Sequence, residues 1–245
     1  LDYAYDREEL MFLMSNDSDG FNRWEACQRL SVDVIQEVVQ QIEVGATVSV
    51  DERLIAAFDV NLTHALEHNA DTSLDRAMIA NMLVLPSESY LIELADLVDV
   101  DAIHLAREAV RDEIAEKLGG LLISVYRFNQ SNEEFRAEAG QIAKRSLKNV
   151  ALSYLMQPAA TEMVPLCYEQ FERATNMTDT SAALRALVNS KATASVGPRN
   201  KALERFYNRW NDEALVIDQW FAIQANCPLP GTLDRVTTLM NHEAF

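Results

Sequence analysis

Apolar residues recur at three- and four-residue intervals along almost the whole chain, and rarely at intervals of two. That is the period of an α-helix, which brings i, i+3, i+4 and i+7 onto one face. Asp6 to Met14 reads as a short helix. Asn16-Asp17-Ser18-Asp19-Gly20 is a break rich in N-cap residues, and a long helix follows from about Phe21 to Val44. Asp51 opens the next, which carries His64 to His68. Ser73 to Leu85 is another, stopped by Pro86, and Ser87 caps a short helix to Val98. Val100 to Phe128 is long and helical, softened by Gly119-Gly120. Glu133 to Met156, Ala160 to Thr175, Thr178 to Ser190, Pro198 to Asn211 and Asp212 to Asn226 follow. Pro228-Leu229-Pro230-Gly231 introduces a last helix, Thr232 to about His242.

The pattern predicts an all-α protein of roughly eleven helices. The one strand-like run, Ala46 to Val50, is short and lies between helices. Helices joined by short loops pack as antiparallel pairs, and stacked pairs make an α-solenoid, a superhelix of the HEAT or armadillo kind. No strict sequence period is present, so the repeats are expected to be irregular. No linker rich in Gly, Ser or Pro divides the chain, which is read as a single helical-repeat domain over 1–245.

Composition supports helices and narrows the partners. Hydrophobic residues make up 49% of 245, enough for a sizeable core, while Gly (7) and Pro (6) are scarce. The net charge of −17 repels phosphate backbones and anionic lipids, so neither nucleic acid nor a membrane surface is an expected partner. No run of 18 apolar residues occurs, and no secretory leader is visible. Cys27, Cys167 and Cys227 are odd in number and far apart, which fits reduced thiols and a cytoplasmic location. Asn-x-Ser/Thr sequons at Asn16, Asn61, Asn129 and Asn176 read as chance or as helix caps.

Four stretches imitate chemistry. His64-Ala65-Leu66-Glu67-His68 matches H-x-x-E-H, in which two histidines four apart grip zinc and the Glu acts as general base. Helical projection puts Leu54, Ile55, Phe58, Leu62, Ala65 and Leu66 on one side. The two histidines, Glu67 and Asn61 then fall on the polar side. No third ligand is indicated, so these read as solvated histidines near a helix C-terminus. Asn241-His242-Glu243-Ala244-Phe245 begins like H-E-x-x-H, lacks the second His, and reads as a fraying helix end. Ser15 to Gly20 resembles a calcium loop, but Ser15 and Ala26 occupy its two anchor positions, so capping explains its acids better. Asp96, Asp99 and Asp101 straddle a helix end, where Asp99 or Asp101 serves as N-cap. No catalytic, cofactor-binding or metal-binding residue is therefore assigned to this chain.

A resemblance is carried by five stretches in order. They are Phe21-Asn22-Arg23-Trp24-Glu25-Ala26, Leu85-Pro86-Ser87, Ile142-Ala143-Lys144-Arg145-Ser146-Leu147-Lys148-Asn149, Asn176-Met177-Thr178-Asp179 ahead of Ala182-Ala183-Leu184, and Leu215-Val216-Ile217-Asp218-Gln219-Trp220-Phe221. Together they resemble the C-terminal helical domain of the bacterial aminopeptidase N family, the M1 zinc metallopeptidases. The resemblance implies a non-catalytic domain that closes over a separate catalytic domain and walls the chamber through which peptides reach zinc. Zinc belongs, on that reading, to the catalytic domain. The family's H-E-x-x-H with downstream Glu and its G-A-M-E-N loop do not occur here, and His64 to His68 does not correspond to them. The resemblance further implies that this is a piece of a longer polypeptide, with the catalytic domain before Leu1 and more helices after Phe245. The alternative is a free-standing helical-repeat scaffold that binds a protein.

Three further expectations concern core and surface. Trp24, Trp210, Trp220, Phe206 and Phe221 sit at helical spacings and are expected in the core. Lys144-Arg145-Ser146-Leu147-Lys148 is a basic patch in an acidic chain, expected as a solvated helix face. The stripe Leu233, Val236, Leu239 and Met240 predicts a partly uncovered last helix and weak self-association of the chain.

Overall fold

The computed structural model describes residues 4–67, 72–157 and 161–245, the side chains of 72–75 excepted. Twelve α-helices and one short 3-10 turn lie among them, with no strand. They form two compact units, Leu1–Tyr154 and Leu155–Phe245.

The first unit contains α1 (Arg7–Asn16), α2 (Gly20–Glu43), α3 (Glu52–His64), α4 (Thr72–Met82), α5 (Glu88–Glu93), α6 (Val100–Phe128) and most of α7 (Ala139–Leu155). Local chemistry sets most of the boundaries. Asp6 and Glu9 form a reciprocal capping box at the start of α1, with bonds of 2.8 and 2.9 Å. The Asp19 carboxylate accepts from the backbone N–H of Phe21 and of Asn22. Asp17 accepts from the Asp19 N–H, so the acids of the calcium-like loop are engaged in capping. At the other end of α2, Gly45 adopts φ +67°, in the left-handed region. There the Gly45 N–H bonds to Ile42 O and the Ala46 N–H to Gln41 O, closing a Schellman motif. The strand-like run that follows pairs with a side chain instead of a strand. Gln41 accepts from the Ser49 N–H and donates to Ser49 O, at 2.7 and 3.2 Å.

α2 packs against α1, α4 and α6, and α3 against α1 and α6. Cys27, Leu30, Val34, Ile35 and Val38 bury one face of α2, opposite Leu54, Phe58 and Leu62 of α3 and Val110, Ile114 and Leu122 of α6. α6 runs unbroken through Gly119-Gly120 and starts where expected, with Asp99 accepting from the Ala102 N–H at 2.9 Å. α5 and α7 are among the helices that are shorter than periodicity predicts. α5 ends at Glu93 and leaves Leu97 and Val98 exposed. α7 begins at Ala139, and the preceding segment is held outside the helix by Gln141, which accepts from the Arg136 N–H and donates to Glu134 O.

The second unit holds α8 (Met163–Arg173), α9 (Met177–Asn189), the 3-10 turn Thr193–Ser195, α10 (Val196–Trp210), α11 (Ala214–Ala225) and α12 (Thr232–Leu239). Asn176 caps α9 by accepting from the Asp179 N–H at 2.9 Å. α8 pairs with α9, α10 packs on α8, α9 and α11, and α11 also meets α9 and α12. Their core includes Val164, Cys167, Leu184, Leu187, Phe206, Ile217 and Ile223. The three cysteines are free and buried. Among the described residues no helix is long and apolar enough to cross a membrane.

Several side chains depart from their expected places. Asn61, expected on the polar side of α3, is only 1% exposed. Arg23 reaches over from α2 to donate to its Oδ1 at 2.9 Å, while its own amide donates to Ala57 O, so the buried polar group is satisfied. The basic patch on α7 is not a solvated face: Leu147 is buried and Lys148 is 8% exposed. Arg145 lies with its guanidinium 4.9 Å from the Phe135 ring. His242 does not fray. Its ring packs among Tyr207, Trp220 and Phe221 at 4.9, 5.5 and 5.6 Å, and its Nδ1 accepts from the Ala244 N–H. On α12, Leu239 is buried, whereas Leu233 and Met240 are exposed.

Candidate functional site

The stretches that imitate chemistry do not assemble a site. α3 ends at His64, and the chain beyond it turns, with Leu66 bonding back to Thr63 and Glu67 to His64. The helix needed to place two histidines on one face therefore stops at the first of them. His64 and Glu67 are exposed, and His68 lies outside the described residues. Asp96 and Asp101 are exposed while Asp99 caps α6. Among the described residues, no three His, Cys, Asp or Glu side chains converge in a way that could hold a metal ion.

Sequence reasoning misplaced Trp24, and it marks the surface of greater interest. Phe206 and Trp220 are core as expected, and Trp210 and Phe221 are half-buried. Trp24 is 36% exposed and Phe21, one turn earlier, 63%, with ring centroids 5.9 Å apart. Both line an open groove of about 1230 Å³ in the first unit. One wall is a stripe of α2 comprising Phe21, Trp24, Glu25, Gln28, Arg29, Val32 and Asp33. The other is built by Tyr5 and Leu10 on one side, and by Val84, Leu85, Pro86, Tyr90 and Leu94 on the other. Two of the five stretches noted above, Phe21 to Ala26 and Leu85-Pro86-Ser87, thus meet across it.

The loop wall is fixed in place. Four side chains from three helices each donate to one of its carbonyl oxygens. Cys27 Sγ donates to Met82 O (3.1 Å), Tyr154 Oη to Leu83 O (2.6 Å), Gln28 Nε2 to Val84 O (3.1 Å) and Arg107 Nε to Pro86 O (2.7 Å). Burial pushes the Cys27 thiol up to about 12 and raises the Tyr154 phenol as well, so both remain protonated donors. Burial also lowers the Arg107 guanidinium, with the positive charge of Arg111 adding to the effect. Satisfying loop carbonyls with half-buried and buried side chains leaves Val84, Tyr90 and Leu94 presented to solvent on a rigid frame.

The charges of the groove have partners within the chain. Arg29 pairs with Glu25 at 2.6 Å, one turn away on the same helix. Asp33 has its backbone oxygen bonded by Arg7, and burial raises its carboxyl against the attraction of the Arg7 and Arg29 guanidinium groups. The groove is therefore apolar and aromatic along most of its length, with Asp33 and its neighbouring arginines at one end.

These features define an all-helical protein whose first unit carries a broad apolar groove. The chain belongs to the family described as "Domain of unknown function (DUF3458_C) ARM repeats", which matches residues 7–245. It corresponds to the C-terminal part of bacterial aminopeptidase N. It is 33% identical to aminopeptidase N of Escherichia coli (strain K12) over 245 residues, which is all of this chain and 27% of that protein. It is 37% identical to aminopeptidase N of Caulobacter vibrioides over 235 residues, 95% of this chain and 25% of that one. Among solved structures it resembles Legionella pneumophila aminopeptidase A in complex with aspartic acid. That match has a TM-score of 0.80 at 27% identity, covering 99% of this chain and 28% of the other. The chain thus spans about a quarter of the length of the relatives it matches.

Proposed function

We propose that this chain is the non-catalytic helical domain of an M1-type zinc aminopeptidase, in which it caps the catalytic domain and walls the substrate chamber. The observation that carries the reading is the match to aminopeptidases N along the whole chain, together with an ARM-repeat family match over 7–245. Residues 1–245 then act as one helical-repeat domain of a longer polypeptide, with its catalytic domain and the peptides it cleaves as partners. Zinc is assigned to that catalytic domain, because the relatives this chain matches along its length are aminopeptidases N. No residue of this chain is given a catalytic, cofactor or metal role. A cytoplasmic location agrees with three free buried thiols. Exposed Leu233 and Met240 support weak self-association of the isolated chain.

The test is to express both this chain and the complete reading frame that contains it. The complete protein is expected to release p-nitroaniline from aminoacyl-p-nitroanilides, and this chain is expected not to. Zinc-dependent turnover by the 245-residue chain that dies with Glu67→Gln would overturn the reading. So would a reading frame that starts close to Leu1 and encodes no catalytic domain.

A further inference from the structure

We infer that Arg199 of α10 and Arg235 of α12 together form a binding site for an oxyanion, a phosphate or carboxylate group gripped by two guanidinium groups.

The pairing of charges elsewhere in the chain sets these two apart. Carboxylates outnumber cationic side chains by 38 to 21, and Arg7, Arg53, Arg111, Arg173 and Arg205 each lie against an Asp or Glu. Arg199 and Arg235 act on each other instead. Burial lowers the Arg199 guanidinium and the positive charge of Arg235 lowers it further, with only the Cys227 sulfur acting the other way. Among the described residues no carboxylate forms an ion pair with either.

Both side chains are half-buried. Arg199 Nη1 donates to Val188 O at 3.4 Å, an acceptor that Cys227 Sγ also uses at 3.4 Å. Arg235 Nη1 is buried and donates to no described residue. A guanidinium has five N–H donors and keeps its proton, so the strain of burying it without acceptors cannot be relieved by deprotonation. The oxygens of an anion relieve it twice over. They accept the spare N–H groups, and they place negative charge between two positive ones.

Position in the helices adds to the demand. Arg199 is the fourth residue of α10 and Arg235 the fourth of α12, and neither helix has a side-chain cap at its start. Long side chains on a helix lean back toward its N-terminus. That end carries the positive pole of the helix, where cations are disfavoured and anions favoured. Asp234, the one acid in either first turn, is exposed and pairs with neither arginine. Two planar forks, in place of lysines, suit a group that presents two or more oxygens. The oxyanion is either free in solution or a carboxylate from elsewhere in a longer polypeptide; the second source rests on the functional reading above.

The experiment has two arms. In the first, inorganic phosphate is titrated against the 245-residue chain at constant ionic strength and followed by phosphorus NMR. Saturable binding is expected, although a net charge of −17 repels phosphate from the surface at large. Arg199→Gln and Arg235→Gln should each weaken it about tenfold or more. Arg235→Lys, which keeps the charge and loses the fork, should weaken it less, and acetate should compete. Arg173→Gln removes an exposed arginine paired with Glu169 and should leave binding unchanged. Circular dichroism checks that each variant is folded, and substitutions on two different helices keep the test open if one is not. No saturable binding, binding that survives both Gln substitutions, or an equal loss with Arg173→Gln would overturn the site. In the second arm the complete reading frame separates the sources. Phosphate binding that persists there with the same sensitivity assigns a free anion. Its loss there, with slower hydrogen exchange at 196–199 and 232–235, assigns a carboxylate of the polypeptide, and its loss without that slowing would overturn the site in the longer protein. A reading frame without a catalytic domain would sink the functional proposal and leave the phosphate result to stand by itself.

Discussion

Arg107 Nε donates to the carbonyl oxygen of Pro86 across 2.7 Å, from the middle of α6 to the loop before α5. Pro86 ends the helical run before it, and a loop carbonyl in a half-buried position needs a partner. A guanidinium supplies a charge-assisted one. Replacing Arg107 by Ala should destabilise the chain by about 1.5–3 kcal/mol, the range for bonds to charged groups. Lys at 107, with no planar fork, should recover only part. Urea denaturation measures the loss, and hydrogen exchange should speed up at 84–90 specifically. A midpoint that Arg107→Ala leaves unmoved would show that the loop holds its shape without this bond.

Trp220 is 8% exposed, and its Nε1–H donates to Leu203 O at 3.0 Å, joining α11 to α10. The indole also lies against Tyr207 and His242. Trp220→Ala should cost about 3–5 kcal/mol through lost burial and the cavity left behind. Trp220→Phe keeps most of the volume and removes only the hydrogen bond, so it should cost clearly less. A loss below about 1 kcal/mol for Ala, as for ordinary surface changes, would place the ring outside the core.

Asp51 caps α3 and gathers two arginines, Arg53 at 2.6 Å and Arg7 at 2.7 Å. Arg53 above all, with Arg7 adding, holds the Asp51 carboxyl well below the usual carboxylate range, although burial pushes the other way. A depressed folded value means that the stabilisation is complete above the unfolded pKa of about 3.9 and is lost as pH falls toward the folded value. Urea midpoints measured from pH 6 to pH 2 should therefore drop below about pH 4. Asp51→Asn retains an oxygen for the cap and removes the charge, so it should flatten that drop while lowering stability at neutral pH. Equal slopes for the two proteins would assign the acid sensitivity elsewhere.

The thiols of Cys27 and Cys167 are buried, and burial raises both, Cys27 to about 12. The thiolate is the reactive form, so at pH 8 only about 10⁻⁴ of Cys27 is competent even before access is considered. Neither residue should react with Ellman's reagent in the folded chain within hours, and both should react within minutes in urea. Rapid native labelling of Cys27, read by mass spectrometry, would mean that the loop at Met82 opens readily.

Helices were legible because their signals are local. Asp6 with Glu9, Asp19, Asp51, Ser87, Asp99 and Asn176 all cap the helices they precede. Period alone overran the ends of α5 and α7, since it counts apolar residues such as Leu97 and Val98 that the fold never buries. The H-x-x-E-H match has no third ligand indicated in the sequence, and the fold adds that α3 stops at His64. The groove was not legible. Trp24 stands at a helical spacing from Phe21 and Gln28 whether it faces a core or solvent.

What the sequence determined by itself is the all-helical class, nearly every helix start and the resemblance across the chain. Those depend on residues within a turn or two of each other. Which face of α2 is covered, why Asn61 is buried and what holds the 82–86 loop follow only from packing. Each depends on a partner far along the chain: Arg23 for Asn61, and Cys27, Gln28, Arg107 and Tyr154 for the loop carbonyls. A side chain buries its surface, or satisfies a distant carbonyl, only where packing brings that partner within about 3 Å. The spacing of residues along a helix carries no record of which helix will come to lie beside it.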